Sequence, residues 1–199
     1  MFPEARFVYL QVVQHRQKVV EGLIGYLVKR GAIIRLPGGW LIAREAVDTF
    51  QAAATEAGVT LRLDDPPASV PLEGDGARLM QVLFNFLTNA LKFTPAGGQI
   101  DVSVRVEGDE AVCSVHDTGG GIQPADLVRL FHPFTQVHEP SEARAPGTGL
   151  GLYISRGIAE EHGGSVSAES PGRGLGATFH LRLPMAGRPT ATTGFAARS

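Results

Sequence analysis

The chain has 199 residues, 43% hydrophobic and 19% charged, enough for one domain with a real core and a short appendage. A net charge of −2 without any Lys/Arg-rich run excludes an electrostatic footprint for nucleic acid or an anionic membrane. The single Cys113 excludes an internal disulfide, and with no long apolar span or signal-peptide pattern the chain reads as cytoplasmic.

In chain order, residues 1–30 read as a helix whose Val13, Val20 and Leu27 recur every seven residues, a seam for a partner helix. Gly31 and Pro37-Gly38-Gly39 punctuate a loop or short strand. A helix is predicted from Leu41 to Ala57, stopped by Gly58, then a strand from Val59 to Leu63 closed by Asp64-Asp65-Pro66-Pro67. Gly74-Asp75-Gly76 leads into a third helix. Ile100, Val102, Val104 and Val106 alternate with polar residues, Gly108-Asp109 turns, and Ala111 to Val115 returns, which predicts a hairpin. Cys113 alternates with Ala111 and Val115 and reads as core. A helix from Gly147 to about His162 stops at Gly163-Gly164. Strands Ser165–Glu169 and Ala177–Leu183 follow around a Gly-rich turn, and the tail from Met185 lacks periodicity and reads as disordered.

The third helix organises the rest. At 100° per residue, Arg78, Gln81, Asn85, Asn89 and Lys92 fall within an arc of about 80°. Leu79, Leu83, Phe86, Leu87 and Ala90 gather opposite. Asn is a poor helix former because its side chain competes for the backbone. Two of them one turn apart suggest a site, since an amide oxygen can ligate Mg²⁺ and a nearby Lys can reach a phosphate. A solvated face with incidental Asn is the other reading, and the helix alone leaves both open.

Three later segments suit a nucleotide. Asp117 at a strand end can accept the exocyclic amine hydrogen of adenine, and Gly119, Gly120 and Gly121 let backbone approach a flat base; an ordinary turn has the same spelling. Gly147-x-Gly149-x-Gly151 at a helix start offers free N–H groups and the positive end of the dipole to phosphates. The long polar loop before it, His132 to Pro146, argues against a dinucleotide-binding βαβ unit and for a functional lid or disorder. Phe131 and Phe134 are placed to anchor the loop's near end in the core.

In this order the motifs resemble the ATP-binding catalytic domain of sensor histidine kinases, within the gyrase, heat-shock-ninety and mismatch-repair ATPase superfamily. Gln81–Pro95 resembles the asparagine box, Asp117–Ile122 the first glycine box, Phe131–Phe134 the phenylalanine box and Gly147–Leu152 the second glycine box. Gly174–Phe179 resembles the closing strand, and Phe131–Gln136 is similar to hybrid kinases that carry a receiver domain. The likeness runs from about Leu41 to Pro184. It implies a Bergerat-type α/β two-layer sandwich, a mixed sheet of about five strands with about three helices on one face. The expected units are a dimerisation-helix remnant and linker at 1–35, the catalytic domain at 36–184 and a tail at 185–199. The resemblance further implies ATP and Mg²⁺ as ligands. Asn89 would ligate Mg²⁺, Asn85 would line the phosphate or metal site, and Lys92 would neutralise phosphate charge, with Asn85 and Lys92 serving catalysis. Asp117 would bind the adenine amine, with Gly119, Gly121, Ile122 and Thr178 completing its pocket. Gly147, Thr148, Gly149, Leu150, Gly151 and Leu152 would form the hinge and cradle of an ATP lid.

The departures concern the acceptor. Kinases of this type carry a phosphoacceptor His followed by an acidic residue, and none of the six His stands in that pattern. His15, the one His of the N-terminal helix, is followed by Arg16. His116, His132, His138 and His162 read as strand-end, exposed-loop and helix-end residues. The expected activity is therefore phosphoryl transfer to a histidine supplied in trans, with self-phosphorylation disfavoured. The partners are a histidine-bearing dimerisation domain and a response-regulator receiver domain, with a homodimer through the N-terminal helix. An ATP-binding regulatory or degenerate module, and an anti-sigma-factor-like serine kinase, are the rival readings.

Overall fold

The computed structural model describes residues 39–64, 70–135 and 148–185. The expected N-terminal helix and its heptad seam, Gly147, most of the His132–Pro146 loop and the tail beyond Met185 lie outside the described residues. The elements run α1 (Gly39–Glu56), β1 (Thr60–Leu63), α2 (Gly76–Phe93), β2 (Gln99–Glu107), β3 (Glu110–Asp117), α3 (Pro124–Leu127), α4 (Gly151–Glu161), β4 (Ser165–Glu169) and β5 (Ala177–Pro184).

The two long helices form where an apolar stripe of helical period meets a stop or a cap. In α1, Ile42, Ala43, Ala46, Val47, Phe50 and Ala54 are all buried, three to four residues apart. Asp75 caps α2, its Oδ1 accepting the N–H groups of Ala77 (2.9 Å) and Arg78 (3.2 Å). Pro95 then ends α2, because the residue before a proline is pushed to extended backbone, as Thr94 is here.

The five strands form one sheet in the order β1-β2-β3-β5-β4, with β1 parallel to β2 and the remaining pairs antiparallel. Register assigns every strand residue to one of two faces. Ile100 pairs with Asp117 and Val102 with Val115; across β3 and β5, Val115 pairs with Phe179 and Asp117 with Ala177. These, with Val104, Leu181 and Leu183, make the covered face. The α1 helix lies on β1 and β2, α2 reaches β3, and α4 lies on β4 and β5, with α2 between the other two helices. Phe86 of α2 is fully buried and its ring centroid lies 5.4 Å from that of Phe179. Burying one such ring contributes about 1.5–3 kcal/mol. Cys113 sits on this face between Val104 and Leu181, and burial pushes its thiol up to about 12.

The other face is polar. Ser103, Ser114, His180 and Ser167 form one row across four strands, and Asp101, His116, Thr178 and Glu169 the next. Ser114 Oγ and His180 Nδ1 are 2.8 Å apart, and His180 Nε2 lies 3.2 Å from Glu169 Oε1. A two-layer sandwich with the helices on one side of a mixed five-stranded sheet is thus the architecture expected.

Candidate active site

Asp117 is the last residue of β3 and points to the covered face, where it is only 3% exposed. Its Oδ1 accepts the Gly119 N–H at 2.8 Å. Burial pushes the carboxyl above its ordinary value, while the Gly119 N–H, His116 and the Ala177 N–H act in the other direction. The chain beyond it is stitched on two sides. Gly120 donates its N–H to the Phe93 carbonyl (3.2 Å), which joins this loop to the C-terminal end of α2. Gly120 O accepts from Gly174 N (2.7 Å) and Gly119 O from Gly176 N (3.1 Å), which joins it to the β4–β5 turn.

The glycines answer to this stitching. A Cβ on Gly119 would lie 2.5 Å from the Phe93 carbonyl oxygen, so no side chain fits there. Of the three glycines expected to clear space for a base, Gly120 alone has an open Cβ direction. Gly121 is packed against Gly172. Ile122 is half-buried against the core, and its N–H donates to Ser170 Oγ at 3.0 Å.

The polar stripe of α2 is present as predicted, with Gln81, Asn85, Asn89 and Lys92 half-buried and Arg78 exposed. From Asn85 to Lys92 it extends about 10 Å along the axis. Asn85 donates through Nδ2 to Gly151 O and to Ser155 Oγ, each at 3.0 Å, so it bridges α2 to the first turn of α4. Asn89, one turn on, makes no side-chain hydrogen bond with a described residue, which leaves its amide oxygen available to a hard cation. Lys92 Nζ lies 5.2 Å from the centroid of the Phe93 ring. Among the described residues no group of three His, Cys, Asp or Glu could hold a metal ion. A cation held beside α2 would therefore draw on amide oxygens and on the oxygens of its own ligand.

The second glycine segment meets this wall at Asn85. Gly149 has φ +69°, and its Cβ position lies 2.8–2.9 Å from backbone of Phe134 and Thr135, so the two chain segments touch. Thr148 is exposed and its Oγ1 accepts the Leu150 N–H at 3.3 Å. Leu150 is the N-cap of α4, and Leu152 packs against the core. The first N–H groups of α4 have no intrahelical acceptor, as at any helix start.

Two expectations are corrected. Thr178 does not join Asp117: it pairs with His116, points to the polar face, and its Oγ1 lies 3.0 Å from His116 Nδ1. Ala177 is the residue opposite Asp117. Phe131 packs on the core as expected, but Phe134 is 74% exposed with φ 60°, so it anchors nothing there. His162 is a helix-end residue as expected, the C-cap of α4, and it is half-buried and bonded on both ring nitrogens. Its Nδ1–H donates to Ile158 O (2.7 Å), and its Nε2 accepts the Asp75 N–H (3.0 Å), tying the end of α4 to the cap of α2.

Sequence reasoning passed over Ser155, which is fully buried, and Ser170, whose Oγ accepts from Ile122 and Gly172 and donates to Gly176 O at 2.6 Å. A signal existed for Ser155. It stands between Leu152 and Ile158 on the apolar stripe of α4, where a polar residue needs a partner.

The loop of the buried carboxylate and the first turn of α4 are thus both bonded to the amide-bearing α2 of a two-layer α/β sandwich. A family model described as "Histidine kinase-, DNA gyrase B-, and HSP90-like ATPase" matches residues 74–187, and the chain belongs to that family. Histidine protein kinase DivJ of Caulobacter vibrioides is 42% identical over 154 residues, which cover 75% of this chain and 26% of DivJ. Sensor histidine kinase RcsC of Salmonella typhimurium is 43% identical over 123 residues, 62% of this chain and 13% of RcsC. The chain thus spans only a minor part of either relative. Among solved structures, full-length ShkA in complex with AMPPNP superposes with a TM-score of 0.65 at 29% identity, covering 80% of this chain and 33% of ShkA. No helix among the described residues is long and apolar enough to cross a membrane.

Proposed function

We propose that this chain is the Mg–ATP-binding catalytic module of a two-component histidine kinase, passing the γ-phosphoryl group to a histidine supplied in trans. One observation carries the reading. The Asp117 loop is bonded to the C-terminal end of α2 through Phe93, and the first turn of α4 is bonded to the middle of α2 through Asn85. The residues read as adenine acceptor, cation and phosphate stripe and phosphate-binding helix start are thus all tied to one helix, which supports the reading that they would line one cleft. The similarity to ShkA, solved with an ATP analogue, supports the same ligand class.

Asp117 would accept the adenine amine and so favour adenine over guanine. Asn89 would offer its oxygen to Mg²⁺, which when bound neutralises phosphate charge and orients the phosphates. Lys92 adds positive charge at the C-terminal end of the stripe. The step breaks the bond between the γ-phosphorus and the bridging oxygen, releases ADP, and forms a phosphorus–nitrogen bond on an imidazole that loses its proton. Most of the catalysis in such a transfer is positioning and charge stabilisation. His116 and His180 lie on the far face of the sheet, and His162 is engaged with Asp75, so none of the three is presented as acceptor. The partners on this reading are a histidine-bearing helical domain and, downstream, a receiver domain.

Incubating the chain with γ-labelled ATP and Mg²⁺, alone and with a histidine-bearing dimerisation domain from a related kinase, tests the proposal. Acid-labile label should appear on the added domain and not on this chain. Nucleotide binding without any transfer would instead favour a regulatory module.

A further inference from the structure

We infer that Ser155 is a positioning residue for Asn85, holding that amide with its nitrogen toward α4 and its oxygen toward the cleft. The inference rests on the proposed nucleotide site and adds to it a residue that touches neither nucleotide nor metal. Ser155 is fully buried on the apolar face of α4. A hydroxyl in that position is costly unless bonded, and here it is bonded twice. Its proton goes to Gly151 O at 3.0 Å, and its oxygen accepts Asn85 Nδ2 at 3.0 Å. Gly151 O accepts from the same Nδ2, also at 3.0 Å.

Two acceptors therefore converge on one edge of the Asn85 amide, and only the NH₂ edge can satisfy both. A flipped amide could still take the hydroxyl proton. Two oxygens, Oδ1 and Gly151 O, would then face each other with no hydrogen between them. Removing the hydroxyl leaves Asn85 a single acceptor and frees the amide to rotate. The orientation of a residue on α2 is thereby set by chemistry on α4.

The test uses the whole chain, with AMPPNP and Mg²⁺ as titrant in a calorimeter and a melting curve for each variant. Ser155→Ala should weaken binding about threefold to tenfold, the range for losing one neutral hydrogen bond. In an Asn85→Ala background the same substitution should change affinity less than about twofold, because the residue acts through Asn85. Ser155→Thr, which retains the hydroxyl, should recover most of the loss. An equal loss in both backgrounds would make Ser155 a packing residue and overturn the inference, as would no loss in the wild-type background. Should Ser155→Ala fail to fold, Ser155→Cys keeps the volume with a weaker acceptor and carries the same comparison. A wild-type chain that binds no AMPPNP would overturn the proposed function itself. Wild-type binding with unchanged Ser155→Ala affinity would overturn only the present inference.

Discussion

Asp117→Asn should change affinity and stability in opposite directions. The side chain is 3% exposed, and burial raises its pKa, so the folded chain without nucleotide pays for a desolvated negative charge at neutral pH. A group whose folded pKa is raised contributes stability that is fully present below its unfolded pKa. That contribution is lost as pH rises through the raised folded value. Asn resembles the protonated form, so the variant should melt above wild type at neutral pH, and the gap should close as pH falls through the ordinary carboxylate range. Binding goes the other way. The Asn oxygen can keep the Gly119 N–H bond seen at 2.8 Å, but its NH₂ would then replace a charged acceptor with a donor. Losing a charged hydrogen bond costs about 1.5–3 kcal/mol, or roughly tenfold to hundredfold in affinity. Calorimetric titration with AMPPNP gives the affinity, and melting curves across pH give the stability. Unchanged affinity would mean that adenine is held elsewhere. A variant that melts below wild type at every pH would show that the Gly119 anchor outweighs the cost of burial.

Three further substitutions test other parts of the site. Asn89→Ala should weaken nucleotide binding more with Mg²⁺ present than with EDTA, and equal losses in parallel titrations would remove it as a metal ligand. His162→Ala leaves the Asp75 N–H without its acceptor and should lower stability by about 1–3 kcal/mol in urea unfolding; a change below about 0.5 kcal/mol would mean that water replaces the imidazole. Thr94 Oγ1 is buried with no hydrogen-bond partner among the described residues, so Thr94→Val should leave the chain as stable or more stable in the same assay. A clear loss would show that this hydroxyl has a partner in solution.

The α2 helix was legible because its two faces differ in kind: eight buried apolar positions lie against a stripe of amides and cations. Asp117 was legible as a carboxylate at a strand end, and the register places it on the covered face. Thr178 was misassigned for a reason specific to strands. Side chains alternate, so neighbouring positions serve opposite faces, and Ala177 rather than Thr178 shares a face with Asp117. Periodicity within β5 marks its two faces; which face meets a neighbour at the cleft end depends on register with β3. His162 and Ser155 were illegible for a related reason. Their partners, Asp75 and Asn85, stand 87 and 70 residues away in sequence. Phe134 reads as an anchor by composition, and only the backbone at φ 60° turns it outward.

The two ties between α2 and α4 have a bearing on which sequence changes this module can tolerate. Asp75 and Asn85 stand ten positions apart on one helix, and Gly151 and His162 eleven apart on the other. At 1.5 Å per residue these are about 15 Å and 16.5 Å, so the antiparallel pair is pinned at two matched points. A single inserted residue in either helix would shift the far pin by about 1.5 Å and turn it by about 100°, far outside hydrogen-bond tolerance. Spacing along these two stretches is therefore more tightly held than the identity of the exposed residues within them. Exposed side chains such as Tyr153 should tolerate exchange better than these stretches tolerate a change of length.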